Sequence, residues 1–336
     1  MFFLNPARIL FLTTLTLGAL LAASSTSWLT AWFGLELNLL SFIPLIASTS
    51  NIYSSESALK YFLIQALGSA LILASAPGIL LLKNLTLTPI ILALLIKMGA
   101  APFHFWFPSV MQGIQWNQAL ILMTIQKMAP LFVLTYALSS GSMMPYFIVK
   151  MSSILSSIVG SLGGLNQTLL RKIMAYSSIN HLAWMLAALS FQKSLLTHYF
   201  AVYVIVVASV TFIFMSYQIF HFNQMFQIDN SNTLVKVGLF STLFSMGGLP
   251  PFLGFIPKLM VVQGLALTGQ TLWLAFLLLT AVVTLIFYVR LLLMGMVLTA
   301  VKPRPTLTKK DYLPLLILTA LNLTPLIAPL SIFMPF

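Results

Sequence analysis

The strongest constraint on this chain is a succession of long apolar stretches, repeated from end to end and separated by short segments rich in Pro, Gly, Asn and charge. A helix that crosses a bilayer needs about 20 such residues. Division at those segments gives eleven stretches: 7–24, 28–50, 57–82, 87–107, 117–139, 145–165, 168–190, 195–220, 236–263, 271–300 and 312–334. Lipid offers the backbone no hydrogen-bond partner and the alternation of a membrane barrel is absent, so each stretch is expected to be helical. With 60% apolar and only 6% charged residues, the chain cannot cover itself with polar surface as a soluble domain does, where about a quarter of residues are charged. The expected class is all-α, a polytopic membrane protein of about 11 transmembrane helices. The first stretch is expected to be a retained spanning helix and not a removed signal. The longest connections, 223–235 and 301–311, are too short for a folded domain.

Composition also excludes functions. The 16 basic and 4 acidic residues give +12, but the bases are scattered between apolar runs, so nucleic acid is not an expected partner. The absence of Cys excludes disulfides, iron–sulfur ligation and a thiol nucleophile in this chain. His104, His181, His198 and His221 lack paired ligand spacing, and no metal is expected. Neither a phosphate loop nor a dinucleotide fingerprint is present. The Asn-x-Thr triplets at Asn84, Asn166 and Asn322 are expected to be unmodified, and the small residues from Gly160 to Gly164 suggest close helix packing. Nine Lys and Arg fall at the N-terminus and in even-numbered loops (Arg8, Lys60, Arg171, Lys172, Lys236, Lys302, Arg304, Lys309, Lys310), against three in odd-numbered ones (Lys83, Lys150, Lys193). This places the N-terminus on the positive side and the C-terminus opposite.

Four basic residues remain inside the stretches: Lys97, Lys127, Lys258 and Arg290. A charge at the bilayer centre costs at least about 2.5–3.5 kcal/mol, so each intramembrane Lys is a candidate functional residue. Arg290, near a stretch end, suits snorkelling or a structural ion pair, and Lys150 suits snorkelling. Glu36 is the matching buried acid, whereas Asp229 and Asp311 lie in loops and Glu56 stands one turn before Lys60. A buried Lys loses its proton more readily and a neighbouring carboxylate opposes that loss, so a Lys that Glu36 approaches and leaves can load and release a proton.

The fourth and ninth stretches are interrupted, by Gly99, Pro102 and His104 in one and by Gly247, Gly248, Pro250 and Pro251 in the other. Gly and Pro at such depth free backbone groups, which is tolerated only within protein or beside a water-filled cavity. His104 is expected to bond that freed backbone. Paired interruptions point to two inverted five-helix repeats, each with a broken fourth helix, plus one C-terminal helix. The organisation is then 1–140, 141–300 and 301–336, and Glu36 in the first repeat matches His181 in the second, a relay candidate.

The strings Trp32–Asn38, Lys97–Trp106, Gln126–Pro130, Leu165–Lys172, Tyr176–His181 and Gly247–Lys258 closely resemble the chain-2 family of mitochondrial NADH:ubiquinone oxidoreductase, respiratory complex I, in its animal, organelle-encoded type. The likeness runs from about residue 8 to 300. It implies an antiporter-like, proton-pumping subunit of the membrane arm in the mitochondrial inner membrane, with the positive side facing the matrix. By that resemblance Glu36 and Lys97 are a modulating ion pair, Lys127 a central relay and Lys258 the distal Lys. Bacterial members carry three further helices at the N-terminus. The resemblance also implies that FMN, the iron–sulfur clusters and ubiquinone belong to other subunits, and that the partners are membrane-arm and accessory subunits with lipids such as cardiolipin. An independent cation/proton antiporter and a passive spacer of the membrane arm are the alternatives.

Overall fold

A computed structural model describes residues 6–48, 51–80, 83–139, 143–227, 233–296, 317 and 319–327. Asp229, Asp311, Lys302, Arg304, Lys309, Lys310 and most of the stretch 312–334 lie outside the described residues, as does the side chain of Lys83. The helices are α1 (Pro6–Ser24), α2 (Trp28–Ile46), α3 (Ile52–Ser75), α4 (Lys83–Met98), α5 (Trp106–Gly113), α6 (Trp116–Met123), α7 (Ile125–Leu138), α8 (Met143–Leu165), α9 (Leu170–Leu189), α10 (Lys193–Ser216), α11 (Thr233–Gly247), α12 (Phe255–Leu267), α13 (Thr271–Met296) and α14 (Thr324–Ile327). They fall into two compact units, residues 1–156 and 157–336, the division lying within α8.

Seven helical segments among the described residues are long and apolar enough to cross a membrane. Three of the stretches divide into shorter helices: α4 with α5 and α11 with α12 at the expected interruptions, and α6 with α7 at Thr124, where one unbroken span was expected. A further stretch, α9, begins with Leu170-Arg171-Lys172 and carries Ser177, Ser178, Asn180 and His181, yet nearly its whole length is buried. A helix surrounded by protein need not be lipophilic on any face. The outward faces differ: Leu10, Leu17 and Leu20 of α1, Leu63 and Leu67 of α3 and Leu272 and Leu279 of α13 are exposed, as a lipid solvent requires.

In the first unit, α2 packs on α1 and α3, and α7 packs on α1, α2 and α4. The α1–α2 crossing is tight because Gly18 and Gly34 face one another's backbones. A Cβ on Gly34 would stand 2.6 Å from the Ala22 nitrogen and 2.9 Å from the Gly18 carbonyl oxygen. That approach fixes α2, and hence the depth of Glu36. In the second unit, α9 packs on α10, α12 and α13, and α11 packs on α10 and α13. The Gly160 region is packing surface, with Gly160 against Asn180 of α9 and Gly164 against Phe287 of α13. Asn322 is fully buried and donates to Ser209 Oγ at 3.1 Å.

Gly34→Val is expected to separate α1 from α2 at an overpacking cost of about 1–3 kcal/mol. The check is the amount of chain recovered in its native assembly from mild detergent, which should fall well below that of Leu40→Val on the exposed face of the same helix.

Candidate functional site

Each unit contains a helix that stops at a glycine and restarts. α4 ends at Gly99 (φ +71°) and α11 at Gly248 (φ +77°), a left-handed conformation that glycine adopts without a Cβ penalty. Both ends are Schellman turns. Gly99 N–H donates to Ile96 O and Ala100 N–H to Leu95 O, while Gly248 N–H donates to Ser245 O and Leu249 N–H to Phe244 O. Aligned on the two glycines, the breaks share one pattern, Gly-x-x-Pro-Phe-x-x-x-x-Pro, with Pro102 matching Pro251, Phe103 matching Phe252 and Pro108 matching Pro257. The last proline is the third residue of the restarting helix in both, where a missing N–H costs nothing because the first four have no intrahelical partner.

Side chains satisfy the carbonyls that the breaks release. In the first unit Trp106 Nε1 donates to Ile96 O at 3.1 Å and Gln65 Nε2 to Lys97 O at 3.1 Å. His104 Nδ1 lies 3.2 Å from Pro102 O. In the second unit Lys258 Nζ donates to Gly247 O at 2.7 Å. Lys258 sits in the first turn of α12, where its own helix dipole opposes a cation, but its ammonium reaches the carbonyl end of α11, where the dipole favours one. The Trp184 ring lies 5.7 Å away on the other side.

Around the first break, Lys97 is buried in the last turn of α4, with its stem running along Gly68 of α3. No ion pair joins Glu36 to Lys97, and Glu36 Oε2 is buried without a hydrogen-bond partner. Lys127 is 2% exposed, with its ammonium 4.5 Å from the centre of the Phe107 ring. Phe107 in turn packs on the Gly99 turn, so Lys127 is held at the break by an aromatic face. A hydrogen-bonded chain connects the helices around these charges. Tyr61 Oη donates to Gln126 Oε1 at 2.9 Å, and Gln126 Nε2 donates to Asn38 Oδ1 at 2.8 Å. It ties α3 to the residue before Lys127 and to the helical turn of Glu36.

In the second unit His181 is 5% exposed. Its Nδ1 lies 3.1 Å from Tyr199 Oη, and its ring is 5.2 Å from that of Tyr203. A cavity of about 10 Å³ beside them is bordered by Ser245, Gly254 and Pro257 of the second break, at the lower limit for one water molecule. The described residues of this unit include no carboxylate side chain, so its cations rest on carbonyls and rings.

The candidate residues thus fall in two groups: Glu36, Lys97 and Lys127 around the first break, and His181 and Lys258 around the second. Arg290 has no ion pair among the described residues; its guanidinium donates to Leu165 O and Gln167 O, each at 2.8 Å, and covers the Phe222 ring. It closes the C-terminal end of α8. Glu56 and Lys60 form an exposed ion pair at 2.6 Å. Sequence reasoning missed Tyr61, Asn38 and Gln126 as a chain, the tyrosines around His181, and the interruption at Thr124 (φ −110°, ψ −82°) between α6 and α7. Pro130, inside α7, was a usable sign of local irregularity there, whereas nothing local marks Tyr61 as a partner of Gln126.

Paired broken helices with buried lysines at their breaks are the arrangement of an antiporter-like membrane protein. A family model described as NADH:quinone oxidoreductase/Mrp antiporter, transmembrane, matches residues 25–284. NADH-ubiquinone oxidoreductase chain 2 of Anopheles gambiae is 46% identical over 291 residues, covering 84% of both chains, and that of Aedes aegypti is 45% identical over the same length, again with 84% of each covered. A chain of respiratory complex I from Thermus thermophilus superposes with a TM-score of 0.84 at 26% identity, covering 96% of this chain and 78% of that one. The chain belongs to the NADH:quinone oxidoreductase/Mrp antiporter membrane family.

Gly248→Ala and Gly269→Ala should separate backbone strain from site packing. Both glycines have positive φ, which costs an alanine about 1–2 kcal/mol. A Cβ on Gly248 would also stand 2.7 Å from Lys258 Cδ, while one on Gly269 meets nothing within 4 Å. Thermal inactivation of the purified assembly is expected at a clearly lower temperature for Gly248→Ala than for Gly269→Ala.

Proposed function

We propose that the chain is an antiporter-like core subunit of the membrane arm of respiratory complex I. In this reading it moves protons along buried Lys, His and water while NADH is oxidised and ubiquinone reduced on other subunits. The contact of Lys258 Nζ with the freed Gly247 carbonyl carries this reading: a titratable amine has been placed at a backbone break inside an apolar helix bundle. Lys127 over Phe107 is the equivalent amine at the first break. A proton arrives when an –NH₂ becomes –NH₃⁺ and leaves by the reverse step. The balance between the two forms follows the charge around the amine, so a change in nearby charge transfers the proton.

Glu36 supplies that change of charge. Its carboxylate is not paired with Lys97, so a small approach of α2 to α4 would hold the proton on Lys97 and a retreat would release it toward Lys127. Tyr61, Gln126 and Asn38 are positioning residues in this scheme, because they tie the helix of Glu36 to that of Lys127. His181 relays between the buried tyrosines and the second break. The architecture that goes with this reading is 11 spans, arranged as two inverted five-helix repeats over 1–140 and 141–300 with a C-terminal helix in 301–336. The location is the mitochondrial inner membrane, the N-terminus in the matrix and the C-terminus in the intermembrane space. The partners are neighbouring membrane-arm and accessory subunits and lipids such as cardiolipin. Flavin, iron–sulfur clusters and ubiquinone are assigned to other subunits and no cofactor to this one.

Lys97→Met and Glu36→Gln are expected to depress ubiquinone-coupled proton pumping of the assembled complex by about tenfold, equivalent to about 1.4 kcal/mol in the rate-limiting transfer. Oxidation of NADH by an artificial acceptor at the flavin site should stay unchanged. Normal pumping in both variants would overturn the relay. Migration of the chain on a native gel away from the band with NADH dehydrogenase activity would favour an independent antiporter.

A further inference from the structure

The second break draws on a part of the chain that the family match over residues 25–284 does not reach. Pro250 and Pro251 bring no N–H to the break, and its other amides need acceptors away from water. Leu249 N–H donates to Phe244 O, Phe252 N–H to Leu249 O and Phe255 N–H to Phe252 O, all close in sequence. Leu253 N–H instead crosses the fold to the main-chain carbonyl of Asn322, at 3.2 Å. Aligned on the two glycines, Leu253 matches His104. At that position the first break has a polar side chain of its own, 3.2 Å from Pro102 O. The second has an apolar one and takes its partner from the C-terminal segment.

The side chain of Asn322 holds that carbonyl in place. Asn322 is fully buried, and its amide donates to Ser209 Oγ of α10 at 3.1 Å. Ser209 is buried as well, and its hydroxyl donates to Val206 O at 2.6 Å. Val206 borders the small cavity beside His181, one helical turn from Tyr203. Packing alone does not fix the register of these elements, because a cavity of about 290 Å³ is bordered by Leu253, Pro257, Leu321 and Thr324. Nor does α14, a single turn at Thr324–Ile327, which is too short to set its own position. Two hydrogen bonds from one residue therefore decide where the break lies relative to α10. We propose that Asn322 is a positioning residue of the second break, a strap that joins Leu253 to α10 and keeps Lys258 at Gly247 O. Its part in proton movement rests on the proton reading; the strap itself does not.

The test uses the full chain in its native membrane assembly, reconstituted in liposomes. Ser209→Thr and Ser209→Val introduce side chains of similar size that differ in one hydroxyl, which separates the hydrogen bond from packing. Ser209→Val and Asn322→Leu should speed hydrogen exchange at Leu253 N–H about tenfold and slow ubiquinone-coupled proton pumping about threefold, the range set by loss of one hydrogen bond. Ser209→Thr should change neither, and oxidation of NADH by an artificial acceptor should stay the same throughout. Equal losses in Ser209→Thr and Ser209→Val, or exchange at Leu253 that no variant alters, would overturn the strap. Faster exchange with normal pumping, where Lys258→Met pumps poorly, would overturn the positioning role. Normal pumping by Lys258→Met would instead overturn the proton reading, and the exchange result would still decide the strap. If the variants fail to assemble, the unaltered complex decides. Protection of Leu253 N–H like that of Val261 within α12 supports the strap, and exchange as fast as at exposed Thr26, between α1 and α2, overturns it.

Discussion

The rule that no backbone polar group may be left unpaired in lipid governs this protein more than any single contact. Most of the chain obeys it simply by being helical. At the two breaks it cannot, and the molecule concentrates its unusual residues there: glycines in the left-handed region, a tryptophan indole across Ile96, a glutamine on Lys97 O and an ammonium on Gly247 O. Each of these groups satisfies a carbonyl that a continuous helix would have satisfied itself. The functional groups stand at the places where the backbone requires polar side chains, so local structure and candidate chemistry share one cause.

The two units answer the same constraint with different charge balances. The first contains Glu36, whose Oε2 is buried. The described part of the second has cations without a carboxylate, and it stabilises them by other means: Lys258 on a carbonyl and an indole, Arg290 on two carbonyls and a phenyl ring, Arg171 on the Phe220 ring. Carbonyl dipoles and ring quadrupoles hold a cation less tightly than a full negative charge would.

Much of the site was legible in the sequence because its cost was legible. A Lys inside an apolar run, or Gly beside Pro in mid-span, is expensive enough to be conspicuous without coordinates, and Lys97, Lys127, Lys258 and both breaks were found that way. The shared Gly-x-x-Pro-Phe-x-x-x-x-Pro register could also have been read from the chain, since it fixes both restarts at the same proline. What could not be read is partnership across the fold. Gln126 meets Asn38 across 88 residues of chain, and Arg290 reaches Leu165 across 125; neither pairing leaves a local trace. Low average hydropathy sets α9 apart, with four polar residues from Ser177 to His181, but it does not say which neighbours enclose the helix.

Under the proposed proton path, the Lys258–Gly247 contact has a consequence for the integrity of the fold during turnover. An ammonium has three N–H donors, and the neutral amine left after deprotonation still has two. Loss of the proton therefore weakens the bond to Gly247 O without removing its donor. The end of α11 stays capped in both protonation states, and the helix break need not reorganise each time a charge passes through it. A carboxylate could not serve in the same place, because its ionised form can only accept.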